Sequence, residues 1–562
     1  MFLPTTLDEV ASLGWDRLDV VLITGDTYID SSFIGAAVIG KSLLKAGYRV
    51  GVIAQPDLVS KADIARLGEP LLFWGVTSGS VDSMVANYTA GGKRRKQDDY
   101  TPGGLNTRRP DRAVIVYTNL IRRFFKPTVP IVLGGIEASL RRIPHYDLWS
   151  NTIRRSILFD AKADILIYGM GEKAVLSLAD RLKCREPFTE ICGLCYIADS
   201  PRSNWIELES FERVAADPGA FSRMFRLFSQ NNDPVTATGL CQKHGTRYLI
   251  HTPPCPPLLV SEMDAIHELD YERDLHPFYR KAGEVRALDT IRFSVSTHRG
   301  CYGECNFCAI AVHQGRTVQS RSQASILREV RQMTHHPAFK GVISDIGGPT
   351  ANMYGFECRK KQARGACIDK RCLFPDICTH LHVNHGPQIS LLKAIRGIKA
   401  IRHAFIASGI RYDLILADRK NGMTYLTEII HHHISGQMKI APEHTESDVL
   451  NLMGKPGVDS LIAFKKCFDE ICRASGKLCY LTYYFMAAHP GCTKEHMRAL
   501  KSFVSRHLHL IPEQAQIFTP TPSTNATLMY HTGVHPDTGD AVFCEKSPQQ
   551  KEIQKQLLLR NK

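Results

Sequence analysis

The chain has 562 residues, 44% of them hydrophobic, and its Lys and Arg outnumber its Asp and Glu by 14. That length exceeds what one core sustains, so two or three domains are expected, and the basic excess favours anionic partners such as nucleic acid or phosphorylated cofactors. No apolar run reaches membrane-span length, and Met1–Val10 lacks the basic start of a signal peptide, which argues against a membrane or secreted protein and for the cytoplasm. In that reducing setting 17 cysteines, an odd number, point to metal sooner than to disulfides.

From Asp19 the pattern alternates buried strand and helix. "DVVLITGDTY" reads as a strand, Phe33 to Ala46 as a helix closed by Gly47, and "YRVGVIAQ" as the next strand, which makes a βαβ unit. Further strands are read at "PLLFWGVTSG", "VPIVLGGIEAS" and "DILIYGMGE", with a helix over Arg112 to Phe125. The expected fold is therefore α/β, opening with a doubly wound sheet domain over residues 1–185. Gly134, Gly135 and Glu137, and Gly169, Gly171 and Glu172, fall at strand ends where such sheets bind ligands. Between Asn87 and Arg109 the chain is long, charged and glycine-rich, the signature of either a lid or disorder. Residues 186–285 show no clear period and are read as a connecting region.

A second alternating series runs through "IRFSVST", "GVISDIGG", "AFIASGI", "MKIAPEH", "LCYLTYYFMAAHP" and "QAQIFTPTP". Six such units predict a partial (β/α)6 barrel over residues 286–535, with residues 536–562 as a C-terminal tail. A helix is expected over Ile326 to Met333, with Ile326, Val330 and Met333 on one face. On a parallel barrel the chemistry gathers on the loops after the strands.

"CYGECNFC" follows the first of those strands and carries Cys301, Cys305 and Cys308. Three cysteines need a fourth ligand to close a structural zinc site, and His298 or His313 could supply it. A four-iron cluster on three cysteines instead keeps one iron open for a substrate or cofactor. A zinc-stabilised nucleic-acid-binding protein is the rival reading, and iron with acid-labile sulfide, against zinc alone, separates the two.

The triplet spacing, the aromatic Phe307 before its last cysteine, and "DIGGPTAN" at the end of the next strand resemble the radical S-adenosylmethionine superfamily. "GDTYID", "GGIEASLRRIPHYDLWS", "STHRGCYGECNFCAIAVHQGR", "SGIRYDLIL", "APEHTESDVLNLMGKP" and "HPGCT" narrow the resemblance to its YgiQ family, along nearly the whole chain. The resemblance implies a [4Fe-4S] cluster on Cys301, Cys305 and Cys308. It implies S-adenosylmethionine held near Phe307, Gly347, Gly348, Pro349 and Thr350, with Lys439 and Glu443 on the ribose side. It also implies reductive cleavage of that cofactor to a 5′-deoxyadenosyl radical, a flavodoxin- or ferredoxin-type reductant, and a first domain like the cobalamin-binding fold. "DTYIDSSFIG" lacks the Asp-x-His-x-x-Gly of that fold, which argues against bound cobalamin. The basic charge and the Asn87 to Arg109 loop suggest a macromolecular substrate, RNA or protein.

A cysteine-rich insertion, residues 354–388, interrupts the barrel after its second strand and carries Cys358, Cys367, Cys372 and Cys378. With little apolar periodicity to join, these thiols are expected to hold zinc or a second iron–sulfur cluster.

Overall fold

The computed structural model describes residues 1–559. Its strands Val20–Thr24 (β1), Val50–Ala54 (β2), Phe73–Thr77 (β3), Ile131–Leu133 (β4) and Ile165–Ile167 (β5) pair in parallel in the order β2-β1-β3-β4-β5. Every residue of β1 and β2 is buried, as a parallel sheet covered on both faces requires. This is the doubly wound sheet that the alternating pattern predicts, and its strand order reverses between β1 and β3.

Residues 186–285, expected as a connecting region, instead extend the same sheet. Leu194–Ala198 (β6) runs antiparallel to β5, followed outward by Arg247–His251 (β9), Leu240–His244 (β8) and Ile206–Leu208 (β7). β8 and β9 form a hairpin whose faces mix buried apolar residues with Gln242, Lys243, His244 and Arg247, so no apolar run announces them. Met1–Pro257 and Ala265–Arg292 together make one compact unit.

Leu258–Asp264 and the chain from Phe293 onward make the second unit. Its strands are Ser294–Ser296 (β10), Val342–Ile343 (β11), Asp345–Gly347 (β12), His403–Ala404 (β13), Gln437–Glu443 (β14), Tyr480–Ala487 (β15) and Gln516–Ile517 (β16). β11 and β12 are two parts of one strand, broken at Ser344, whose N–H bonds Phe293 O. β10 pairs with β12, β11 with β13, β14 with β15 and β15 with β16, all in parallel. A parallel bridge between Ile410 and Ile440 continues the series from the third strand to the fourth. The result is six parallel strands in chain order, as the six sequence runs predict. Helix Gln323–Met333 buries Ile326, Val330 and Met333 in the core of this unit.

The stretch expected as a C-terminal tail also belongs to this unit. Helix Pro548–Leu558 buries Lys551, Gln554 and Leu558, and the Gln554 amide accepts from Ala488 N–H at 3.0 Å and donates to Cys492 O at 3.2 Å. Only three residues of that helix are buried, too few to show as a periodic apolar face.

Candidate active site

The loop that carries the cysteines leaves β10 and returns through a short ladder in which His298–Arg299 pairs antiparallel with Gln319–Ser320. Inside it Cys308 N–H closes a turn onto Cys305 O at 3.0 Å. Asn306, between two of the cysteines, is anchored outside the loop. Its N–H bonds Met453 O at 2.9 Å, its amide bonds Leu452 O at 2.9 Å, and its carbonyl accepts from Ala526 at 2.8 Å.

Gly303 shows how closely two of the thiols approach. A Cβ there would lie 3.3 Å from Cys301 Sγ and 3.6 Å from Cys305 Sγ. Its N–H already donates to Cys301 Sγ at 3.3 Å. Burial raises the Cys301 thiol and, with Cys305 beside it, pushes Cys308 up to about 12. Such thiols lose their protons when a metal takes the sulfur, so loading releases acid. Among the described residues no three His, Cys, Asp or Glu side chains close onto one point as the ligands of a single ion do. Cys305 and Cys301 both act on the charge of Cys308, so the three sulfurs share one neighbourhood.

The glycine motif at the end of β12 lies against this loop. Thr297 N–H bonds Gly347 O at 2.7 Å, and Cys301 Sγ is 3.5 Å from the Thr350 hydroxyl. Gly347 and Gly348 are required by space: a Cβ on the first would sit 2.9 Å from Ser408 Oγ, and on the second 2.6 Å from the His298 ring. Pro349 follows, half-buried. Phe307 packs against the barrel core with its ring 6.0 Å from that of His489, edge to face.

Glu443 ends β14 in the left-handed region, at φ 68°, where the β14–β15 register shifts. Burial raises its carboxyl against the pull of Lys455, and its charge acts on Cys308. Lys439 shares the half-buried face of β14 but stands four residues earlier, roughly 13 Å down the strand. Of the expected cofactor residues, then, Phe307, Gly347, Gly348, Pro349, Thr350 and Glu443 lie around the cysteine loop, and Lys439 stands back from it.

Two residues that sequence reasoning passed over stand here. Arg411 extends a guanidinium nitrogen to within 4.0 Å of Cys305 Sγ. The buried Nε2 of His489 has no hydrogen-bond partner among the described residues, and burial lowers the imidazole to about 4. Both belong to quoted motifs, "SGIRYDLIL" and "HPGCT", but only the meeting of strand ends gives them a role.

A family model described as Radical SAM N-terminal matches residues 2–294. The chain is 57% identical to a UPF0313 protein of Fusobacterium nucleatum over 99% of this chain and 98% of that one, and 48% identical to one of Thermotoga maritima over 97% and 96%. The chain belongs to the UPF0313 family, the YgiQ family of radical S-adenosylmethionine enzymes. Membership implies a [4Fe-4S] cluster and S-adenosylmethionine as cofactors. Among solved structures the chain resembles the cobalamin-dependent S-adenosylmethionine radical enzyme OxsB, with a TM-score of 0.50 and 11% identity, over 87% of this chain and 52% of OxsB. The UPF0313 chain thus spans about half the length of OxsB, and the likeness is one of fold.

The strand-order reversal between β1 and β3 is where a sheet of this kind takes its ligand, and here the chain fills it. The segment from Asn87 to Arg109, expected as lid or disorder, folds into the crevice. Arg109 is fully buried, donates to Ser78 O at 2.6 Å, and pairs with Asp26 at 2.8 Å and Asp98 at 3.1 Å. Thr27 N–H bonds Tyr100 O, and the Gln55 amide bridges Gly25 O and Thr101 Oγ1. Tyr28 stands two residues after Asp26, where a cobalamin fold would place its axial histidine, and is fully buried with its hydroxyl on Asp30. Tyr100, Thr101 and Arg109 thus occupy the crevice in this structure.

The insertion builds a core that its sequence does not advertise, because the apolar partners come from elsewhere. Cys358, Cys372 and Cys378 join Phe356, Leu373 and Leu381 against Tyr302, Val318 and Leu414. Cys367 lies outside that cluster, its carbonyl bonded by Arg316 at 2.9 Å.

Proposed function

We propose that this UPF0313 enzyme holds a [4Fe-4S] cluster on Cys301, Cys305 and Cys308 and uses it to cleave S-adenosylmethionine reductively. The observation that carries the reading is the gathering of three half-buried thiols at the end of the first barrel strand, beside the glycine pair of the second. A cluster bound there by Cys301, Cys305 and Cys308 would supply, once reduced by an external donor, the electron needed to break a carbon–sulfur bond of S-adenosylmethionine. The chain's own part is to orient and shield. The methionine end is assigned to the backbone at Gly347 and Gly348 beside the cysteine loop, Phe307 and the unpartnered His489 Nε2 offer a flat face and a polar atom for the adenine, and Glu443 stands beside Cys308. The filled crevice supports a reaction run without cobalamin.

The substrate we infer is RNA. The tip of the segment that plugs the crevice exposes Lys93, Arg94, Arg95 and Lys96 in one run, on a chain with a formal charge of +14. Such a run neutralises phosphates without reading sequence. Anaerobic protein, reduced with dithionite, is expected to yield 5′-deoxyadenosine, and deuterated RNA fractions are expected to pass deuterium into it. Transfer from deuterated protein fractions alone would move the substrate to a polypeptide. Absence of 5′-deoxyadenosine from iron-replete protein would remove the radical reading altogether.

A further inference from the structure

Arg411 is a cation placed at the ligand sulfurs and fixed from three directions. Its Nε and Nη2 bond the two oxygens of Asp413, at 2.9 and 2.5 Å, in the bidentate fork that guanidinium and carboxylate share. Its backbone is clamped by one side chain: Asn352 Oδ1 accepts from Arg411 N–H at 2.9 Å, and Asn352 Nδ2 donates to Arg411 O at 2.9 Å. Asn352 Nδ2 also lies 3.2 Å from His385 Nε2, and the other face of that imidazole is held by Asp418 at 2.9 Å. Arg411, Asn352, Asp413, His385 and Asp418 are all buried.

The remaining nitrogen, Nη1, is the one aimed at the cysteines. It lies 4.0 Å from Cys305 Sγ and 3.3 Å from where a Cβ on Gly303 would stand, the same point that is 3.3 Å from Cys301 Sγ. Glycine at 303 therefore leaves clear the space between the guanidinium and the Cys301 sulfur. Burial disfavours the charged guanidinium, and Asp413 more than offsets it. Asp413 compensates the fork on the far side, so the pair is a dipole with its positive end toward the thiols.

We propose that Arg411 is a positioning residue for the iron–sulfur cluster, setting its reduction potential by holding an N–H donor at the Cys305 sulfur and a fixed positive charge beside Cys305 and Cys301. Reduction adds one electron, and hence one negative charge, to a group already carrying three thiolates. A guanidinium within reach of those sulfurs favours the reduced state, because net charge and hydrogen bonds to sulfur govern such potentials. A buried donor clamped before the electron arrives acts without the reorganisation that water would need.

The inference rests on the assignment of the cluster to Cys301, Cys305 and Cys308, and the experiment separates the two. Anaerobically reconstituted full-length protein is titrated with dithionite, without S-adenosylmethionine, and the midpoint is followed by electron paramagnetic resonance. Four irons per chain and the visible band in wild type, with both lost in Cys305→Ala, secure the assignment. Arg411→Gln is then expected to keep iron content and absorption while reduction becomes at least tenfold less favourable, about 59 mV for one electron. Arg411→Lys keeps the charge and is expected to recover most of that shift. Asp413→Asn removes the countercharge and is expected to move the midpoint the opposite way, so it decides the question if Arg411→Gln fails to take up iron. A loaded Arg411→Gln protein with an unchanged midpoint, or an Asp413→Asn protein with no upward shift, overturns the proposal.

Discussion

The His298 ring occupies the space that a side chain on Gly348 would need, 2.6 Å from its absent Cβ. The ring has little room to retreat: it is fully buried, and its Nδ1 lies 2.8 Å from Thr297 Oγ1. Gly348→Ala should therefore push the ring or the loop, cost about 1–3 kcal/mol of stability, and lower 5′-deoxyadenosine formation at least tenfold. Thermal melts and product assay on the same preparation check both effects. Adding His298→Ala should recover part of the stability, since it vacates the contested space.

The buried Arg109 with its two carboxylates makes the crevice plug costly to break. Arg109→Met leaves Asp26 and Asp98 buried and unpaired, and should destabilise the protein by about 3–5 kcal/mol, read as a lower denaturation midpoint. The intact protein should leave the visible spectrum of added hydroxocobalamin unchanged. A stoichiometric spectral shift would mean that the plug yields to that ligand.

Cys358, Cys372 and Cys378 should behave as core thiols, and Cys367 as an unligated one. In a protein with Cys301, Cys305 and Cys308 all replaced by Ala, elemental analysis should find well under one zinc or iron per chain with the fold intact by circular dichroism. A retained equivalent of either metal would place a second centre among Cys358, Cys367, Cys372 and Cys378.

Asp147 gives a pH signature in the first unit. Burial alone would raise its carboxyl, but the hydroxyl and N–H of Ser150 and the Arg112 guanidinium, at 2.6, 2.9 and 2.8 Å, bring it down to about 2 from an ordinary 3.8. A carboxylate depressed on folding stabilises above its unfolded value and stops doing so as pH falls through its folded one. Asp147→Asn should cost about 1–2 kcal/mol at pH 7, with the gap to wild type closing between pH 4 and pH 2 in denaturant titrations.

What could be read from the sequence and what could not divide along a physical line. Buried parallel strands such as Val20–Thr24 advertise themselves as continuous apolar runs, and the cysteine loop follows the first barrel strand in both sequence and structure. The hairpin of β8 and β9 was illegible because its half-polar faces look like loop. Arg411 and Asp413, two residues apart, carry no role until the third strand end is set against a loop more than a hundred positions upstream. The insertion looked coreless because Tyr302, Val318 and Leu414, the residues it folds onto, lie outside it. For Arg411 and for the insertion the missing information was which distant segment arrives alongside.

The anchoring of Asn306 carries a consequence for the order of synthesis. One of its partners, the Asn525 amide at 3.2 Å, lies 219 residues further along the chain. At roughly 5–20 residues per second, the three thiols leave the ribosome about 10–40 s before the segment that fixes their loop exists. During that interval they are neither buried nor held in register, and adventitious oxidants and stray zinc have free access to them. The loop reaches its final geometry only on a finished chain, and recombinant yield should depend on keeping the nascent cysteines reduced more than on iron supply during translation.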